Sequence, residues 1–132
     1  MANLKLAGSR FTKLNVERNM EFNGKVEMTT NIKITSLEKH KEAKDTITIT
    51  YTFEVDYTEL GKLSVEGLLF LSGDSKTIKE LLKSQKEKQF DNQEYIGITN
   101  LIMQKASIKA FELEEELGLP IHIKLPTVSA KK

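Results

Sequence analysis

From Thr46 to Tyr57 the side chains alternate without a break: Ile47, Ile49, Tyr51, Phe53, Val55 and Tyr57 fall on one side of an extended chain, Thr46, Thr48, Thr50, Thr52, Glu54 and Asp56 on the other. A period of two is the signature of a strand with one buried face; a helix would repeat its apolar side every three to four residues. A strand of this kind needs neighbours on its edges and a second layer over its apolar face. One neighbour precedes it, with Val26, Met28, Ile32 and Ile34 on one side and Glu27, Thr29, Asn31 and Lys33 on the other. The polar link Glu38 to Asp45 is long enough for a hairpin and too short for a parallel crossover, so the pair is expected to be antiparallel.

After Leu60-Gly61 a third alternating run, Lys62 to Leu71, carries Leu63, Val65, Gly67, Leu69 and Leu71 on one face. Leu68 and Phe70 make its far end apolar on both sides, an end expected to be covered on both faces. Leu4 to Glu17 is a less regular strand with Gly8 as its expected bulge, and the connection Arg18 to Lys25, containing Met20 and Phe22, is apolar for a surface loop.

The second half changes period. Gly73-Asp74-Ser75 offers a turn and an N-cap, and Ile78, Leu81 and Leu82 then mark a short amphipathic helix. A second helix is expected from Tyr95 to Leu117, with Tyr95, Thr99, Ile102, Met103, Ala106, Ala110, Leu113 and Leu117 as its core stripe and Gly118 as its end. Leu101, Ile108 and Phe111 lie off that stripe, which gives the helix a second apolar face. Leu119 to Pro126 alternates between two prolines and reads as an extended segment laid on the surface. The fold class is therefore α+β: a four-stranded antiparallel β-sheet followed by a short and a long α-helix, one domain over residues 1–132.

Composition narrows the function. Without cysteine there is neither a disulfide framework nor a thiolate ligand or nucleophile, and the cytoplasm is the expected compartment. Met1 to Arg10 lacks the apolar core of a signal peptide, and no apolar run is long enough for stable membrane insertion. Lys and Arg (20) nearly cancel Asp and Glu (19), so there is no global field for nucleic acid. His40 in the polar link and His122 in the tail belong to no metal-spacing motif and read as solvated. Leu71 to Thr77 lacks the glycine pattern of a nucleophile elbow or phosphate loop and reads as a helix cap. Glu112, Glu114, Glu115 and Glu116 read as a solvated acidic face, with a docking patch for a basic partner as the alternative. No catalytic residue, metal or cofactor is expected.

What exceeds the needs of one small sheet under one helix is apolar: Met20, Phe22, Met28, Leu101, Met103, Ile108, Phe111, Ile121 and Ile123. Methionines and aromatics on an adaptable surface suit promiscuous peptide binding, and an oligomer interface would bury the same residues.

The run Leu63-Ser64-Val65-Glu66-Gly67-Leu68-Leu69-Phe70-Leu71-Ser72-Gly73 resembles the aliphatic strand, glycine and Ile-Phe run of the SecB protein-export chaperones. Gly118 to Val128 is similar to that family's segment after the long helix, and Phe22 followed by Val26 and Met28 to its aromatic crossover and next strand; together the likeness spans Leu4 to Val128. It implies a homotetramer, a dimer of dimers with the long helices between sheets, holding non-native polypeptides without ATP. The apolar excess of the crossover and tail places polypeptide binding at Met20, Phe22, Val26, Met28, Ile121 and Ile123, and the second apolar face of the long helix places the homo-oligomer interface at Leu101, Ile108 and Phe111. The acidic sheet patch through which SecB meets its export motor has no recognisable counterpart. Only Ser129 to Lys132 stand where the family places a final helix, so a more open groove is expected. A specific adaptor, or a toxin-antitoxin-associated chaperone bound to one partner, is the alternative, and an enzymatic pocket between sheet and helix a third reading.

Overall fold

A computed structural model describes residues 4–22, 24–39, 45–87 and 93–122. Four strands, β1 (Leu4–Arg18), β2 (Thr29–Lys39), β3 (Thr46–Asp56) and β4 (Gly61–Gly73), precede two helices, α1 (Ser75–Glu87) and α2 (Gln93–Leu117). The sheet is antiparallel throughout in the order β1-β4-β3-β2, so β2, β3 and β4 form a meander and β1 crosses over to the far side of β4. A turn of 3-10 helix, Thr58–Leu60, joins β3 to β4.

The alternation of β3 and β4 fixes which face is covered. Tyr51 pairs with Gly67, Phe53 with Val65 and Ile49 with Leu69, and all of these are buried beneath the helices with Ile47, Val55, Leu63 and Leu71. Gly67 is needed there: a Cβ would stand 2.5 Å from the Tyr51 hydroxyl and 2.8 Å from the Arg10 carbonyl, so the missing side chain makes room for the tyrosine.

The irregularity of β1 has a geometric cause. Its register with β4 shifts between Leu6 and Gly8 and again between Phe11 and Lys13, leaving Ala7 and Thr12 as the extra residues in place of the expected Gly8. Each shift moves the apolar residues back to the helix side, so Leu4, Leu6, Phe11, Leu14 and Val16 share the face of Leu63 to Leu71 although their spacing in sequence is uneven. A third shift, between Ile34 and Ser36, does the same for β2 and buries Leu37. β2 starts at Thr29, so Val26 and Met28 precede the strand instead of opening it.

The other sheet face carries Lys13, Asn15, Asn31, Lys33, Thr52, Glu54, Ser64 and Glu66. At its far end Leu68 and Phe70 are half-buried; where a packed layer was expected, the Arg10 guanidinium lies 5.5 Å from the centre of the Phe70 ring.

α1 opens on the expected cap. The Asp74 carboxylate accepts the Thr77 N–H at 2.7 Å, and this bond, followed by that to the Thr77 side chain, holds its pKa below the ordinary value of 3.8. In α2 the fully buried positions are Ile98, Ile102, Ala106, Ala110 and Glu114, each four residues after the last. Four residues turn a helix by about 40° beyond a full revolution, so the contact line winds around α2 as it crosses the twisted sheet. Met103, expected in the core, consequently lies 41% exposed, while Ile98 and Glu114 take places that a straight stripe does not give them.

Candidate functional site

Three independent ties bring the end of β1, the β3–β4 turn, the end of α2 and the segment after it to one end of the sheet. Arg18, the last residue of β1, donates through Nη1 to the Leu117 carbonyl at 2.9 Å and to the Gly118 carbonyl. A cation on the last carbonyls of a helix complements both their unpaired lone pairs and the helix dipole. Asn19 continues the chain by donating its backbone N–H to Leu60 at 2.7 Å, which fixes the start of the crossover beside the 3-10 turn.

The third tie is a buried polar cluster. The Tyr57 hydroxyl donates to Oε2 of Glu114, whose side chain is fully buried. Oε1 of the same carboxylate accepts two bonds from His122, one from its backbone N–H at 3.3 Å and one from ring Nδ1 at 2.7 Å, the nitrogen that a carboxylate acceptor selects to carry the proton. The His122 ring meets Phe53 edge-on, 5.6 Å between centroids. Burial first, and then the hydrogen bond and charge of Glu114, push the Tyr57 hydroxyl well above the ordinary tyrosine pKa, so it stays a donor.

Glu114 and His122 thus correct the expectation of a solvated acidic face and a solvated tail histidine. Glu112, Glu115 and Glu116 are exposed as expected; Glu114 is the next step of the four-residue stripe and points inward. That spacing was the one signal in the sequence that could have singled it out. Gly118 then turns the chain with φ 65°, and the Leu119 N–H closes the helix on the Glu114 carbonyl at 2.9 Å. A Cβ on Gly118 would come within 2.9 Å of Arg18 Nη1, so the glycine serves both the left-handed turn and the arginine clamp.

Around this junction the expected polypeptide-binding residues take different positions. Phe22 and Val26 are half-buried against the core, Met28 is 42% exposed and Met20 81% exposed. Ile121 is half-buried beside His122, and Ile123 lies outside the described residues. Of the residues expected at an oligomer interface, Leu101 is half-buried against the core of the same chain, Phe111 is half-buried and Ile108 is 64% exposed. Exposed apolar side chains also line the helix side of β1 at Leu6, Phe11 and Leu14, where Lys109 of α2 reaches over the Phe11 ring. Among the described residues no helix is long and apolar enough to cross a membrane.

One solved structure superimposes on nearly the whole chain with a TM-score of 0.58 at 9% identity, covering 97% of this chain and 89% of its own: a SecB-like chaperone from Mycobacterium tuberculosis in complex with a ChAD peptide from the HigA1 antitoxin. The fold is SecB-like. A protein of unknown function from Streptococcus agalactiae overlaps more loosely, with a TM-score of 0.43 at 10% identity over 94% of this chain and 97% of that one. No protein-family model matches the sequence, and no curated protein matches it either.

Proposed function

We propose that this SecB-like chain is an ATP-independent holdase that binds extended, non-native polypeptide segments in the cytoplasm, protecting clients or passing them to export, and that it performs no catalysis. The observation that carries this reading is the crossover between β1 and β2. Met20 and Met28 expose flexible, polarizable side chains on either side of Phe22 and Val26, which anchor the segment to the core. Such a surface gains free energy from apolar area of many shapes and demands no particular partner sequence.

Competition tests the reading. A labelled unfolded client bound to the chain should be displaced by an unrelated unfolded peptide; a client that resists all unrelated peptides would mark a dedicated adaptor. The adaptor reading has its own support, since the SecB-like structural neighbour was captured with a peptide from one antitoxin. The double variant Met20→Ser/Met28→Ser should weaken client binding about tenfold or more and leave the assembly intact, as read by titration and solution mass. Dissociation or unfolding of that variant would place the two side chains in an interface or the core.

The holdase reading includes self-association. Leu6, Phe11 and Leu14 on β1 and Ile96, Met103 and Ile108 on α2 are exposed apolar side chains of the kind that a second copy of the chain would cover. Sedimentation at micromolar concentration should therefore give a mass above the 15.0 kDa subunit, consistent with a dimer of dimers. A stable 15.0 kDa species would contradict this.

A further inference from the structure

Glu114 lies at the bottom of the apolar layer with no Lys or Arg bound to it among the described residues; its carboxylate is held by Tyr57 and His122. Two of its three hydrogen bonds come from a single residue, His122, through one side-chain and one backbone donor. His122 belongs to no helix or strand, and its segment leaves α2 through the left-handed turn at Gly118. A residue outside regular structure that offers both its backbone N–H and its side chain to a recessed acceptor is held as a bound peptide is held. The occupant also fits incompletely. Among the described residues, ring Nε2 of His122 is buried without a hydrogen-bond partner, and an unpaired buried polar atom offsets much of what the bond at Nδ1 contributes.

We propose that the socket formed by Phe53, Tyr57 and Glu114 is a recognition site for extended segments in which an N–H-bearing side chain follows an apolar residue, and that Pro120-Ile121-His122 is its exchangeable internal occupant. This rests on the reading of the chain as a binder of extended segments and specifies the chemistry of those segments. A client that displaces His122 must bring a donor of its own, because the buried carboxylate would otherwise keep the Tyr57 hydroxyl and lose both bonds from His122. The site therefore exchanges one donor-bearing segment for another and discriminates against purely aliphatic ones.

The test uses the full chain, labelled with 15N, and an unlabelled synthetic peptide of residues 117–126. Hydrogen exchange at the His122 amide should accelerate about tenfold or more as this peptide displaces the internal segment, while the β3 amides keep their protection. The same peptide carrying His122→Ala should have little effect at equal concentration. The full-chain variant His122→Ala should bind the fluorescent wild-type peptide about tenfold more tightly than the wild-type chain does, since its internal competitor is weakened. Equal action of the two peptides, or no change in exchange with either, would overturn the proposal, and this arm decides even if the variant fails to fold. Peptide binding at the socket with no hold on any unfolded protein would leave the site standing and remove the holdase reading. Equal client binding by wild type and His122→Ala, with no peptide binding, would remove the site and leave the holdase.

Discussion

Glu114→Ala should lower the unfolding free energy by about 3–5 kcal/mol, because it leaves the buried Tyr57 and His122 donors without their acceptor, at about 1–3 kcal/mol for each stranded group. Helix propensity would favour alanine at this position, and the tail of acidic residues around it suggests a surface change. The structure reverses that expectation: the carboxylate is fully buried and accepts the Tyr57 hydroxyl, the His122 ring and the His122 backbone N–H, all of which would be stranded. Tyr57→Phe removes one donor and leaves the carboxylate with two, so its effect should be smaller, about 1–2 kcal/mol. Glu115→Ala, one residue further on an exposed face, should fall within about 0.5 kcal/mol of wild type. Urea unfolding of the three variants at a single protein concentration, since assembly would make stability concentration-dependent, reads all three values. Equal effects of Glu114→Ala and Glu115→Ala would mean that the inner face of α2 is wrongly assigned.

Phe53→Ala is expected to cost a comparable amount, about 3–5 kcal/mol, for a different reason. Its ring has no exposed surface, sits at the middle of the strand that supports the core, and pairs with Val65 on one side and Ile32 on the other. The loss combines the transfer free energy of the removed ring with the cavity left behind, since neighbours held in a sheet cannot collapse into it. The His122 ring also loses its edge-on partner. A shift in the urea midpoint with an unchanged slope would identify the effect as one on the native state. A loss below about 1 kcal/mol would mean that the site repacks and that Phe53 is not the centre of the core.

These two residues differ in how much of their role could be read from the chain. Phe53 lies in an alternating run whose period is the geometry of a strand, so its burial followed directly, as did the antiparallel meander and the Asp74 cap. β1 and the end of β2 were harder because Ala7, Thr12 and Thr35 each add one residue and exchange the two faces, which leaves a spatial stripe without a sequence period. Glu114 was hidden by two effects. The winding of α2 carries the contact line away from a fixed angular stripe, and the donors that make a buried carboxylate tolerable, Tyr57 and His122, stand on other elements. A polar residue in a run of polar residues carries no local mark of being inside. The apolar crossover was visible as an excess of Met20, Phe22 and Met28, but only the fold shows that its start is fastened to the end of α2 through Arg18.

Suppression of aggregation reads directly whether the exposed apolar crossover and its surroundings hold unfolded chains, as proposed. An unrelated protein diluted from denaturant should remain in solution when this chain is present at near-stoichiometric amounts, without nucleotide. The effect should fall sharply with Met20→Ser/Met28→Ser and be retained by Glu115→Ala. Aggregation that proceeds at the same rate and extent with and without the wild-type chain, at concentrations where the chain is folded and assembled, would contradict the account.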